Sequence, residues 1–334
     1  MYKRIIISII IVGLCYSQST ATIWRVNNNP GISANFTNFT AAQSAATPND
    51  SLYFEGSTVS YGNITITKPL VIIGPGYFLS ENPETQVNLA TAKFGNVVFN
   101  TGCSGTIISG LEVTGYITIG ESNITIKRNY TKSIYFNCTT SYENIMIAQN
   151  YIYGGIENNT GTSLVNNIII SNNYTRFSGS YNNNAINLAT NFSGTIINNV
   201  FDCAYSLNVH NFLIMNNLLT TGTNNTLVPT DNTFFNNICN HTQFPLVNGN
   251  QQNVSMTDVF MGATGNSTDG QWRLKTGSPA IGAGNDGSDC GMFGGVTPYV
   301  LSGLPEIPAI YYLNMPASGS STNGINVTIK AKTH

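Results

Sequence analysis

Between Asn123 and Asn240 the chain repeats one phrase: a few β-branched or aromatic residues, an Asn, then another apolar residue. It reads Ile124-Thr125-Ile126-Lys127-Arg128-Asn129-Tyr130, then Ile145-Met146-Ile147-Ala148-Gln149-Asn150-Tyr151 and Ile168-Ile169-Ile170-Ser171-Asn172-Asn173-Tyr174. Thr195-Ile196-Ile197-Asn198-Asn199-Val200, Phe212-Leu213-Ile214-Met215-Asn216-Asn217-Leu218 and Thr233-Phe234-Phe235-Asn236-Asn237-Ile238 continue it. The aligned Asn129, Asn150, Asn173, Asn199, Asn217 and Asn237 are 21, 23, 26, 18 and 20 residues apart. A strand recurring at such a period cannot bury its apolar side alone. Stacked coils give it a continuous core, so the phrase predicts a solenoid. An Asn at each coil corner tolerates left-handed backbone. Its amide also reaches the same amide one coil away, about 4.8 Å distant. These six residues read as a structural ladder.

Composition narrows the function classes. Only 8% of the 334 residues are charged, against roughly 25% in an ordinary globular protein. With 47 Asn and 38 Thr, solubility rests on amides and hydroxyls. A net charge of -2 gives no electrostatic case for nucleic acid or an anionic membrane. Abundant Asn also suits a disordered, prion-like chain, but 41% apolar content in regular strand phrases supplies a core to bury.

Lys3-Arg4, the apolar run Ile5 to Leu14 and Ser19-Thr20-Ala21 read as a signal peptide over residues 1–21. The run is too short to span a bilayer comfortably, and no later segment is a transmembrane candidate. The expected location is secreted or cell-surface. Cys103, Cys138, Cys203, Cys239 and Cys290 show no metal-ligand spacing, so neither a metal nor another cofactor is expected. They read as small buried residues within coils, with a Cys203–Cys239 disulfide as the alternative. The 15 Asn-x-Ser/Thr sequons only modestly exceed the number expected by chance in so Asn-rich a chain.

Two segments carry a family resemblance. Phe39 to Ala46 reads as a short helix, followed by the strand Ser51 to Gly56, Tyr61-Gly62, Ile64-Thr65-Ile66-Thr67, Lys68-Pro69 and Leu70-Val71-Ile72-Ile73-Gly74. This run resembles the N-terminal cap and first coil of secreted right-handed parallel β-helix proteins of the pectin-lyase-like superfamily, with Asn49-Asp50 where Gly-Asp is usual. Arg273-Leu274-Lys275-Thr276-Gly277-Ser278-Pro279-Ala280-Ile281-Gly282-Ala283-Gly284 and Asp289 to Gly295 resemble the closing segment of exported bacterial β-helix proteins, with Gly282 where Asp is usual. The resemblance implies an all-β chain: a right-handed parallel β-helix with a short N-terminal capping helix and a small C-terminal β tail. The expected organisation is a signal peptide over 1–21, cap and first coil over 22–76, coils and closing segment over 77–297, and linker and tail over 298–334. The tail reads as a plain C-terminal cap, the alternative being a resemblance to short sorting segments of Bacteroidetes-type exported proteins. Trp24 and Trp272 fall in the two expected caps. Asn-rich insertions near Glu157–Ser163 and Ser178–Thr190 are expected to project as loops.

In that superfamily lyases use an Arg or Lys as base beside a uronate carboxyl, often with Asp-held calcium. Glycosidases of the fold use two or three clustered Asp. The repeats here hold only Asp202 and Asp231. Three residues past the aligned Asn stand Lys132, Tyr153, Arg176, Asp202, Thr220 and Asn240, a column that stacks on one face if register holds. Lys132, Tyr153, Arg176 and Asp202 are therefore the candidate binding strip. The bland reading is a solvated column with an ordinary surface ion pair. Tyr130, Tyr151 and Tyr174 form a ladder either on the surface or inside the coil. The function expected is non-catalytic: a structural, adhesive or glycan-contacting protein that meets polysaccharide or other copies of itself, with filament assembly as a variant. The alternative is a lyase-like enzyme on uronate polysaccharide using Lys132, Arg176 and Asp202.

Overall fold

The computed structural model describes residues 21–159, 161–177, 184–203, 205–220, 227–320, 322 and 324–333. All but the last residue of the expected signal peptide lies outside them. Among the described residues the chain is nearly all β, with one α-helix, Phe39–Ala45, and three short 3-10 turns. Asn38 starts that helix because its side-chain oxygen accepts the Ala41 N–H at 2.9 Å. The helix buries Phe39 and Ala42, with Phe39 lying 6.3 Å from the Phe54 ring.

Two long stacks of strands form a solenoid. The first contains ten strands in chain order, from Ile23–Val26 and Ser51–Phe54 through Tyr142–Ala148 and Val165–Ser171 to Thr233–Phe235. The second, a 13-stranded sheet, takes the other part of each coil, including Glu112–Ile119, Tyr130–Phe136, Tyr174–Phe177 and Val200–Cys203. Neighbours in both stacks pair in parallel, as expected when each coil repeats the same path. Alternation then decides which side chains enter the core. Ile126, Ile147, Ile170, Ile196, Ile214 and Phe234 stack in one column, coil upon coil, and all are buried. Each such side chain contributes about 1.5–3 kcal/mol on burial, and only stacking supplies that burial.

The six aligned asparagines are fully buried beside this core. Each backbone N–H donates to the side-chain oxygen of the next Asn at 2.8–3.0 Å, and Asn250 adds a seventh member. Each amide nitrogen donates to that same oxygen, and also to an Ile carbonyl one coil back. The left-handed residue is not the aligned Asn but the one before it. Arg128, Gln149, Asn172, Asn198, Asn216 and Asn236 hold φ between 53° and 58°. That turn lets the following amide point inward along the stack.

The closing segment runs back along the flank of the solenoid. The side chains of those left-handed residues receive it in descending order. Asn236 donates to Ala283 O, Asn198 to Asp289 O, and Asn172 to Met292 O and Gly294 O. Gln149 then donates to Thr297 O and Pro298 O, and Arg128 to Leu304 O. This strap covers the Tyr130–Tyr151–Tyr174 column, which points out of the coil and continues as Val200, Leu218 and Ile238. The tyrosine ladder is thus neither on the surface nor inside the coil. Trp272 packs on it, 4.6 Å from the Tyr174 ring, so it covers the flank. Trp24 donates to Asp50 at 2.9 Å. The stretch read as a linker is also held, with Tyr299, Ser302 and Leu304 all buried.

Parts of the two insertions are strands. Ile156–Asn158 and Ile186–Asn187 pair with each other in the second sheet, while residues 160 and 178–183 lie outside the described residues. All five cysteines from Cys103 onward are buried and free, which leaves no Cys203–Cys239 bridge.

Candidate functional site

The outward face of the second sheet is built on Glu112–Ile119 and Tyr130–Phe136. Gly115-Tyr116-Ile117-Thr118-Ile119 alternates, so Ile117 and Ile119 enter the core while Tyr116 and Thr118 face out. One coil on, Ile134 and Phe136 are buried and Tyr135 faces out. Register places Ser133 beside Tyr116, and Tyr135 between Thr118 and Glu157. Asn187 and Asn208 extend that row, joined by a 2.7 Å amide bond. The Tyr116 and Tyr135 rings lie 5.1 Å apart at 70°. Both are half-buried.

Lys132 sits where the register shifts between Thr131 and Ser133, with Thr114 and Gly115 opposite it, and it faces outward next to buried Thr131. Its ammonium donates to the Tyr116 hydroxyl at 3.2 Å and lies 5.1 Å from that ring's centre. The Tyr116 hydroxyl raises the Lys132 pKa above its ordinary value. Tyr153 stacks on Tyr130 at 4.9 Å, and its hydroxyl donates to Thr114 O at 3.1 Å. Arg176 and Asp202 are register partners on adjacent coils, 3.8 Å apart. Asp202 also accepts from the Tyr174 hydroxyl at 2.9 Å and from Thr220 at 3.3 Å. Register carries the candidate strip along consecutive coils, with Lys132 on the Tyr116 hydroxyl, Tyr153 stacked on Tyr130, and a partly solvated Arg176–Asp202 pair.

Tyr116, Tyr135 and Glu157 were not among the residues singled out from sequence. Tyr116 and Tyr135 occupy outward positions of consecutive strand phrases, so alternation could have found them. Counting three past the aligned Asn could not, because Tyr135 stands six past Asn129 and the coil of Tyr116 has no aligned Asn. Burial lifts the Glu157 carboxyl above the usual carboxylate range.

A second concavity, of about 630 Å³, lies between the first sheet's outer face and the strap. Met146, Ile169, Ile197 and Met215 contribute its floor. At one end Glu306 pairs with Lys127 at 2.7 Å and Arg128 at 3.2 Å, and Asp286 lines the groove farther along. Elsewhere His210 and Asp231 form a 2.7 Å pair. Burial pushes the Cys103, Cys203 and Cys290 thiols up to about 12, which suits packing rather than nucleophilic chemistry. No group of three His, Cys, Asp or Glu placed to hold a metal ion occurs among the described residues, nor a helix long and apolar enough to cross a membrane.

Comparison with family models, curated proteins and solved structures returned no match.

Proposed function

We propose that this chain is an exported right-handed parallel β-helix of the pectin-lyase-like kind that contacts glycans without cleaving them, in the secreted or cell-surface setting its N-terminal residues suggest. The observation that carries the reading is the Tyr116–Tyr135 ring cluster with Lys132 seated on it. Half-buried tyrosine rings beside a row of Thr118, Glu157, Asn187 and Asn208 offer what a sugar chain needs: apolar surface for ring C–H groups and polar side chains for its own hydroxyls. Lys132 and Glu157 put one cation and one carboxyl on that face, polar partners for sugar hydroxyls of either sense. The strand and closing motifs that resemble pectin-lyase-like proteins support the handedness and the family, and the short helix near Phe54 suits a cap.

A lyase base must be neutral to take a proton. Lys132 has a raised pKa, and Arg176 faces Asp202; both favour contact over elimination. Incubation of the wild type and a Lys132→Ala/Arg176→Ala variant with uronate polysaccharides tests this. No unsaturated product is expected from either protein. Product formed by the wild type and lost in the variant makes the chain a lyase.

A further inference from the structure

We infer that the C-terminal hairpin is a self-association surface whose apolar face covers the same face of a second copy of this chain. Ala309–Asn314 pairs antiparallel with Thr328–Lys332. Register puts Ile310 opposite Ala331 and Leu313 opposite Ile329, which aligns these four side chains on one face. The other face carries Ala309 opposite Lys332 and Tyr312 opposite Lys330.

That second face is anchored at one end, where Ala309 is buried and Lys332 pairs with Glu84 at 3.0 Å; farther out Lys330 lies over the Tyr312 ring at 5.2 Å within the hairpin itself. The apolar face is bare: Ile310 is 49%, Leu313 44% and Ile329 57% exposed. Val327 leads into the second strand and is half-exposed, as is Val87, whose N–H donates to Ile310 O at 2.9 Å.

A two-stranded hairpin is at best marginally stable in water, so a bare apolar face calls for a cover. Charge and area select a second copy. The lysines sit on the opposite face, so two identical faces meet with no like charges opposed, as a twofold contact requires. Half-exposed side chains of this number offer on the order of 500 Å² per copy, and two copies reach the roughly 1,000 Å² at which specific interfaces begin. The lysines on the outer strand discourage edge-to-edge strand addition and leave face-to-face packing.

Sedimentation velocity of the full chain over a wide concentration series tests this. The wild type is expected to dimerise. Ile329→Glu is expected to lose the dimer while circular dichroism and melting temperature of the solenoid stay unchanged, and Lys330→Gln is expected to keep it. A wild type that stays monomeric throughout, or a dimer that Ile329→Glu leaves intact, overturns the inference. So does a monomer that pellets with phosphatidylcholine–phosphatidylglycerol vesicles through this face. The surface is independent of the tyrosine face, so Ile329→Glu should leave glycan retention unaltered.

Discussion

Tyr77 and Tyr299, 222 residues apart in sequence, share a 2.7 Å hydrogen bond in the buried flank of the solenoid. Tyr299 also donates to Asp269 at 3.2 Å, and Asp269 accepts from Asn82, Ser267 and the Ser302 N–H. One fully buried carboxylate thus ties the end of the strap to an early coil. Tyr299→Phe leaves the Tyr77 hydroxyl and one Asp269 oxygen each short of a partner. It should cost about 1–3 kcal/mol in chemical denaturation, and Asp269→Ala should cost more. Both should speed limited proteolysis between Gly284 and Leu304. Burial holds both phenols well above the ordinary tyrosine value. Their contribution is therefore complete below a pH of about 10, the unfolded value, and is lost as pH rises beyond it.

The asparagine ladder should be the least replaceable element. The Asn173 oxygen accepts from the Asn150 N–H at 2.9 Å and from its amide at 3.0 Å, while its own amide nitrogen donates to Ile147 O at 2.9 Å. Asn173→Ala strands several buried groups at about 1–3 kcal/mol each, so a loss of at least 3 kcal/mol is expected. Asn173→Asp should be as damaging, because a carboxylate has no donor for Ile147 O. A thermal shift within a few degrees of the wild type for both variants would remove the ladder from the stability account.

Asp50 gives the fold an acid limit. Its burial alone would raise the carboxyl, but the Thr22 N–H, the Trp24 indole and the Thr47 N–H all donate to it and bring its pKa down to about 2. A depressed carboxyl contributes stability above the unfolded value near 4, and that stability fades as pH falls through about 2. Asp50→Asn should be less stable at neutral pH and should show a shallower loss between those limits, read from denaturation midpoints against pH.

The coils were legible because their signal is periodic. The Ile column and the aligned Asn recur at a spacing that the parallel stacks reproduce. The strap was not legible as a strap. Its contacts run from the left-handed side chains Gln149, Asn172 and Asn198 to backbone carbonyls, and a carbonyl leaves no mark on residue identity. The candidate face was half legible. Lys132 and the Arg176–Asp202 pairing followed from counting along the coils. Tyr116 and Tyr135 escaped because Tyr135 stands six, not three, past its aligned Asn and the coil of Tyr116 has none.

The most direct measurement is glycan-array binding of the purified wild type against a Tyr116→Ala/Tyr135→Ala variant with unchanged circular dichroism. Truncating aromatic anchors of a contact face costs about 1–3 kcal/mol each, roughly ten- to a hundredfold in affinity. Retention of glycans by the wild type, lost in the double variant and weakened in Lys132→Ala, is the predicted result. A wild type that binds no glycan, or a double variant that binds as well as the wild type, contradicts the assignment of this face.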